Sequence, residues 1–321
     1  MVSVDVFNGD ADGICALQQL RLQAPEPGAR LVTGVKRQIT LLNQLKGISN
    51  SRITVLDISL ESNRDDVLRL LRSNNHIFYI DHHYSGEIPD SPLLTAHIDT
   101  SPGRCTSLIV DQLLDGAHRT WAIAGAFGDG LDDVARTLAG TRALSAGQQQ
   151  ILKEIGILLN YNSYGLTPDD LFIQPADLFR AVNRFTDPFR FHADYSGFEV
   201  LRQGYAEDMS QASRLKPARN YRGGRIFFLP GAPWARRTVG ILASRYSREQ
   251  PQQAHAVLLP KPDGGFLVSV RAPLANRYGA DTLCRQFATG GGRVASAGIN
   301  ELPEQELDRF IEAFIHQFPG I

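Results

Sequence analysis

In the first 130 residues, acidic side chains and two histidines come directly after short apolar runs. If those runs are parallel strands, their carboxyl ends meet at one edge of the sheet, where such sheets bind ligands. Carboxylates gathered there would repel each other unless a cation lay among them. Mixed carboxylate and imidazole ligands favour Mn²⁺ over Ca²⁺ and lack the sulfur of many zinc sites. The residues concerned are Asp10, Asp12, Asp57, Asp81, His82, His83 and Asp129.

Each acid taken singly also has a purely structural interpretation. Asp10 and Asp12 lie where a helix before Ile14 would be capped, and Asp57 or Asp129 would serve equally well in a turn. The tripeptide Asp81-His82-His83 is harder to explain in this way, because it directly follows the apolar run that ends at Ile80. The joint pattern therefore favours a metal site over four independent turns and caps.

A glycine run near the C-terminus indicates a second binding element. Gly290, Gly291 and Gly292 would let backbone N–H groups approach a phosphate, and Arg293 adds a planar set of donors. Arg271 follows the predicted strand over 266–270 and is a second candidate for a phosphate contact. The alternative is a glycine loop that only turns the chain.

The elements that must position these residues alternate between strands and helices, which predicts an α/β fold with a doubly wound, mainly parallel sheet. We expect a first domain over residues 1–190, including a helical connector, and a smaller α/β domain over 200–321, with a cleft between them. The predicted strands are 3–7, 30–35, 53–56, 76–80, 94–98, 225–229, 255–259 and 266–270. The predicted helices are 14–23, 40–46, 64–72, 106–114, 145–159, 235–246 and 304–318.

Composition sets the broad class. A chain of 321 residues with 43% hydrophobic and 21% charged residues is globular and long enough for two domains. No apolar run approaches the roughly 18 residues of a membrane span, the N-terminus lacks a basic leader, and three scattered cysteines predict no disulfide framework. These features favour the cytoplasm and no membrane partner.

Charge is distributed unevenly along the chain. Residues 1–133 hold 17 acids against 11 bases, and residues 202–250 hold 10 bases against 3 acids. An acidic region beside a basic one suits a metal site that meets a phosphate-bearing substrate, although chance variation explains the charge pattern equally well.

The motifs resemble those of the DHH phosphoesterase family over nearly the whole chain. Asn8–Gly13 is similar to its first motif, Asp57 to its second, Asp81-His82-His83 to its third and Asp129 to its fourth. The segment Gly290–Gly298 is similar to the glycine signature of the DHH-associated C-terminal domain. Relatives in this family include RecJ-type exonucleases, nano-RNases and cyclic-dinucleotide phosphodiesterases, and the first domain also resembles class II pyrophosphatases.

The resemblance implies two bound Mn²⁺ ions, with Mg²⁺ as an alternative, bridged by Asp57. Asp81 would orient a histidine, and His83 would lie close to the metals and the scissile phosphate. Two departures concern the first ion: Val6 stands where some members carry a metal-binding histidine, and Asn8 stands where RecJ-like members carry an aspartate. The implied metal ligands are Asp10, Asp12, Asp57, His82 and Asp129, with Asn8 offering one neutral oxygen.

The function that follows is two-metal hydrolysis of phosphodiester bonds in short oligonucleotides or in cyclic or linear dinucleotides. Arg293 replaces the usual histidine of the glycine signature, so it keeps a phosphate donor but cannot act as a neutral base. Two alternatives stay open: a pyrophosphatase or phosphomonoesterase, and a non-catalytic nucleotide-binding protein with a degenerate metal site. The expected partner is a short nucleic acid or a nucleotide, and a homodimer remains open.

Overall fold

The computed structural model describes residues 2–320, and the chain divides into two compact units. The first unit ends at Gly204 and the second begins at Tyr205. The boundary falls inside helix α9 (Gly197–Ala212), so a helix rather than an irregular linker joins the units. No helix among the described residues has the length and apolar character needed to cross a lipid bilayer.

The first unit is built on a five-stranded parallel sheet in the order β2-β1-β3-β4-β5. Because all five strands run the same way, they end at one edge, which we call the carboxyl edge. Apolar side chains of β1, β3 and β4 form a buried core on one face of this sheet. Phe7, Leu56 and Ile80 are buried on the other face, as expected for a parallel sheet covered on both sides. The strands are β1 (Ser3–Asn8), β2 (Arg30–Gly34), β3 (Arg52–Leu56), β4 (His76–Asp81) and β5 (Leu94–Ile98).

Helices cover this sheet and complete the first unit. Helix α1 begins where the Asp10 carboxylate accepts the N–H groups of Asp12 and Gly13, and α6 begins with a capping box formed by Ser145 and Gln148. Helix α2 lies between β3 and β4 in the chain, and all later helices come after β5. The first-unit helices before α9 are α1 (Ala11–Gln23), α2 (Arg64–Arg72), α3 (Thr106–Leu113), α4 (Arg119–Gly128), α5 (Asp132–Thr141), α6 (Ala146–Tyr161), α7 (Pro175–Val182) and α8 (Pro188–Asp194).

The second unit has a six-stranded mixed sheet in the order β10-β11-β9-β8-β7-β6. Its core joins sheet residues such as Val268 to Phe310 and Phe314 of the last helix. The strands are β6 (Arg219–Tyr221), β7 (Gly224–Phe228), β8 (Ala254–Pro260), β9 (Phe266–Arg271), β10 (Gly290–Arg293) and β11 (Ser296–Leu302), and the helices are α10 (Pro233–Glu249), α11 (Ala280–Cys284) and α12 (Leu307–Gln317).

The structure confirms the predicted α/β fold, with a parallel sheet in the first unit and a second, smaller unit that has its own mixed sheet. Two local predictions were wrong. The segment predicted as a helix over 40–46 is a short 3₁₀ turn, Leu41–Gln44. The apolar stretch before Asp129 is part of helix α4 and not a strand, because its alanines and glycines mask the helical period. The glycine run Gly290–Arg293 forms the edge strand β10, which rules out the alternative of a loop that only turns the chain.

Candidate metal centre

The turn from β1 to α1 places two carboxylates at the carboxyl edge. Asp10 is the N-cap residue of α1, and its Oδ1 accepts the backbone N–H groups of Asp12 at 3.0 Å and Gly13 at 3.1 Å. Asp12 lies in the first turn of the helix and reaches across to α3, where its two oxygens accept the N–H groups of Thr106 and Ser107 at 2.7 Å each. Both carboxylates are almost fully buried.

Asp57 follows β3 in a backbone conformation that is rare outside glycine. Its φ is 60°, in the left-handed region that aspartate and asparagine tolerate better than most side chains. The Asp57 N–H still donates to the Ile80 carbonyl at 3.1 Å, and the Thr106 hydroxyl donates to its Oδ1 at 3.1 Å. The strained turn therefore aims a buried carboxylate along the carboxyl edge, in keeping with a functional site.

His82 follows β4 and presents one ring nitrogen to these carboxylates. Its Nδ1 lies 3.0 Å from the Arg104 carbonyl oxygen, which can only accept a hydrogen bond. Nδ1 therefore carries the proton, and Nε2 of the neutral ring has a free lone pair. This Nε2 lies 3.4 Å from Asp57 Oδ1 and 4.0 Å from Asp12 Oδ2. Three electron-pair donors facing each other at these distances are the arrangement that a cation stabilises.

His83 lies beside His82 and is held by Asp81. Its Nδ1 donates to Asp81 Oδ1 at 2.7 Å, and the two histidine rings lie 4.4 Å apart between centroids. Asp81 is completely buried, whereas the His83 side chain keeps 35% of its accessible surface. The hydrogen bond to Asp81 fixes the orientation of the His83 ring, whose side chain is partly exposed to solvent.

Asp129 is brought to the same place by a helix end, not by a strand end. It is the C-cap residue of α4 and part-buried. Burial raises the pKa of the Asp129 carboxyl, while the charge of Lys36 opposes that rise. Asp12 and Asp10 raise it further, so the fourth predicted carboxylate lies within electrostatic reach of the other two.

The charges of this cluster are poorly balanced. Burial raises the pKa of Asp57 well above its ordinary value, and the carboxylates of Asp10, Asp12 and Asp81 raise it further. Burial opposes ionisation of Asp10 as well, yet the ion pair with Lys36 and the Gly13 N–H hold its pKa below the ordinary value. Lys36 therefore stabilises the anionic form of Asp10, whereas the surroundings of Asp57 destabilise its anionic form.

Lys36 is the residue of this site that sequence analysis missed. It lies two residues after β2, at the carboxyl edge, and its ammonium forms an ion pair with Asp10. Although burial lowers the pKa of Lys36, the charges of Asp10, Tyr164 and Asp129 raise it well above its ordinary value, so the side chain is cationic. A lysine placed just after a strand, at the edge where the acids collect, was the signal available.

The residues present fit a divalent cation. Asp57, His82 and His83 each offer a ligand atom, and these three atoms lie within 4.8 Å of one another. Asp12 adds a carboxylate 4.0 Å from His82 Nε2. Asn8 Oδ1 is buried and accepts no hydrogen bond within residues 2–320, so it can act as an additional ligand of the cation. The donor set, oxygen with imidazole nitrogen and no thiolate, suits Mn²⁺ or Mg²⁺.

The predicted phosphate contacts belong to the second unit. Gly290–Arg293 pairs with β11 in antiparallel register, and Arg293 is exposed at the end of that edge strand. Arg271 ends β9, where it donates to the Val270 carbonyl at 3.1 Å and lies 3.4 Å from the Ser244 hydroxyl. Their role in substrate binding stays a prediction.

No family model and no curated protein matches the chain. Solved structures do match it. A DHH-domain protein described as a member of the s1p family of ribosomal proteins aligns with a TM-score of 0.69 at 14% identity, over 98% of this chain and 86% of that one. RecJ of Thermus thermophilus with Mn²⁺ gives 0.66 at 16% identity, over 97% of this chain and 51% of that one. The pGpG-specific phosphodiesterase PggH of Vibrio cholerae gives 0.56 at 14% identity, over 98% of both chains.

These similarities define a class of fold: two α/β units of the DHH type. More narrowly, the chain has the RecJ-like DHH fold, which confirms the resemblance drawn from the motifs. It spans about half the length of the Thermus RecJ, so that protein has a large part with no counterpart here.

Proposed function

We propose that the protein is a metal-dependent phosphoesterase. The observation that carries this proposal is His82 Nε2, whose lone pair faces Asp57 Oδ1 at 3.4 Å and Asp12 Oδ2 at 4.0 Å at the carboxyl edge. A divalent ion held there by Asp12, Asp57, His82 and Asp129 would polarise a phosphoryl oxygen and lower the pKa of an attacking water.

The protein's own side chains then have separate tasks. His83, fixed by Asp81 and partly exposed, would donate a hydrogen bond from Nε2 to a phosphoryl oxygen when its ring is protonated. The Thr106 hydroxyl, which donates to Asp57, keeps that carboxylate in one orientation. Lys36 adds a fixed positive charge beside Asp10. His83 and Lys36 would thus stabilise negative charge that develops on the phosphate.

For the substrate we propose phosphodiester bonds in short oligonucleotides or dinucleotides, with Mn²⁺ as the ion. Support comes from the fold shared with RecJ and with a pGpG-specific phosphodiesterase, the latter over 98% of both chains. The occupancy by two ions and the cytoplasmic location remain predictions from sequence.

A panel of substrates tests the proposal. Purified protein is incubated with Mn²⁺ and dinucleotides, oligonucleotides of two to ten residues, pyrophosphate and a nucleoside monophosphate. Release of nucleotide from the diesters by the wild type, and its loss in Asp57→Asn, is the expected result. The Asn substitution keeps the left-handed backbone and removes only the charge. If the protein hydrolyses only pyrophosphate or the monoester, it is a pyrophosphatase or phosphomonoesterase and the proposal is wrong. If it binds nucleotides tightly without turnover, it is a non-catalytic nucleotide-binding protein.

A further inference from the structure

Lys36 is held rigidly at the carboxyl edge by its main chain. Its N–H donates to the Ser163 carbonyl at 2.9 Å, and its carbonyl accepts the Asn8 side-chain amide at 3.3 Å. The residue is thereby tied to β1 on one side and to the end of α6 on the other. A lysine with a fixed backbone has little freedom beyond its side-chain torsions.

The ammonium of Lys36 is fixed as well. It donates to Asp10 and to Asn160 Oδ1, the latter at 3.1 Å, and lies 6.0 Å from the centroid of the Tyr164 ring. Asp10 is 3% exposed and the Lys36 side chain 26% exposed, so water screens this ion pair weakly. A carboxylate, an amide oxygen and an aromatic face are all groups that attract a cation.

We propose that the Lys36 ammonium takes the place of one cation of the centre, so that the protein binds a single divalent ion on the side of Asp12, Asp57 and His82. The inference rests on the proposed function, since it concerns the metal centre of that function and identifies Lys36 as the second positive charge there. Asp10 then serves as a partner of Lys36 and a cap of α1, and is not a metal ligand.

The ion pair at Asp10 supports one ion. Lys36 already neutralises the buried Asp10 carboxylate. A second divalent ion bound by Asp10 would face the ammonium across the same carboxylate and be repelled by it.

Side chains next to Asp10 also offer little to a second ion. Val6 is fully buried and has no donor atom. Asn8 offers one neutral oxygen, Oδ1, and no charge, while its amide nitrogen donates to the Lys36 carbonyl. The negative charge on this side of the site is therefore supplied by Asp10, which is paired with Lys36.

Manganese stoichiometry tests the inference without relying on turnover. Each protein is dialysed to equilibrium against Mn²⁺, bound metal is counted by mass spectrometry, and electron paramagnetic resonance reports whether bound Mn²⁺ ions are spin-coupled. We expect one uncoupled ion per chain in the wild type and in Lys36→Arg, and two coupled ions in Lys36→Gln. Lys153→Gln is the matched control, because Lys153 also pairs with an aspartate, Asp132, and is similarly exposed at 28%.

Two coupled ions in the wild type would overturn the inference and leave the proposed function intact. One ion in both the wild type and Lys36→Gln would also overturn it, because the lysine would then not occupy a cation site. No bound ion in the wild type would remove the proposed function itself. If Lys36→Gln does not fold, Asp10→Asn, which keeps a capping side chain, takes its place: retention of one ion supports the inference, and loss of the ion refutes it.

Discussion

Replacing Asp57 by asparagine should make the metal-free protein more stable while it abolishes metal binding. The Asp57 carboxylate is buried among Asp10, Asp12 and Asp81, and Lys36 offsets only part of their repulsion. Asparagine keeps an oxygen that accepts the Thr106 hydroxyl and tolerates the φ of 60°. The change therefore removes an unfavourable charge and preserves the local contacts.

The size of this effect follows from Coulomb's law. Two unit charges 4 Å apart interact by about 4 kcal/mol at an effective dielectric constant of 20. Three neighbouring carboxylates oppose Asp57 and one lysine favours it, so at least one such repulsion is uncompensated. Partial protonation and solvent reduce the benefit, and we expect Asp57→Asn to add about 1–3 kcal/mol in the presence of EDTA.

The direction of the pKa shift of Asp57 determines how the stability difference between Asp57→Asn and the wild type changes with pH. Since the folded pKa of Asp57 lies above its unfolded value, the wild type is unpenalised below the unfolded pKa and loses stability as pH rises through the folded pKa. The advantage of Asp57→Asn should thus be absent near pH 3 and grow as pH rises, then level off. Urea unfolding followed by circular dichroism at several pH values, with EDTA or with Mn²⁺, measures it. In Mn²⁺ the order should reverse, because binding at 1,000 times Kd stabilises the wild type by about 4.1 kcal/mol, more than the expected gain of the variant.

Asp5→Asn is the matched control. Asp5 is equally buried and lies in the same sheet, but it pairs with Arg21, whose Nε is 2.9 Å from Asp5 Oδ2. The same chemical change there leaves a charge unpaired and should cost about 3–5 kcal/mol. If Asp57→Asn proves less stable than the wild type in EDTA, the electrostatic account of the site is refuted.

Three further predictions concern other parts of the molecule. Gly156→Ala would place a Cβ 2.3 Å from the Ala124 carbonyl oxygen and should lower stability by at least about 2 kcal/mol in thermal melts, whereas Gly140→Ala, which has open space, should be neutral or slightly stabilising. His83→Ala should reduce kcat by roughly 10²–10⁴-fold and leave bound Mn²⁺ unchanged; loss of the metal would show that His83 is a ligand. Arg293→Ala should raise KM for a dinucleotide with little change in kcat, and an unaltered KM would remove Arg293 from the substrate site.

Much of the fold was predictable because its strands carry clear local signals. The runs ending at Leu56 and at Ile80 are β-branched and aromatic, and each is followed by acidic or imidazole side chains. The parallel arrangement then places those side chains at one edge. The structure brings together Asp12, Asp57 and His82, which lie far apart in the chain, as that reasoning requires.

Other features have a weak local signal or none. Asp129 reaches the site from the end of α4, a helix whose alanines and glycines mask its period. Lys36 was missed because an isolated lysine after a strand is common on surfaces, and only the folded chain shows Ser163 and Asn160 beside it. The glycine run before Arg293 pairs as a strand because β11 is available to it, a non-local contact that composition does not reveal.

The left-handed backbone at Asp57 has an evolutionary consequence. Aspartate, asparagine and glycine are the residues best suited to this conformation, so a single substitution by asparagine keeps the turn and removes the negative charge. The substituted chain would fold at least as well as its parent. Related proteins can therefore lose the metal site through one substitution and keep a stable fold. Such proteins would have the structure of an enzyme and could bind a ligand without the charge needed for catalysis.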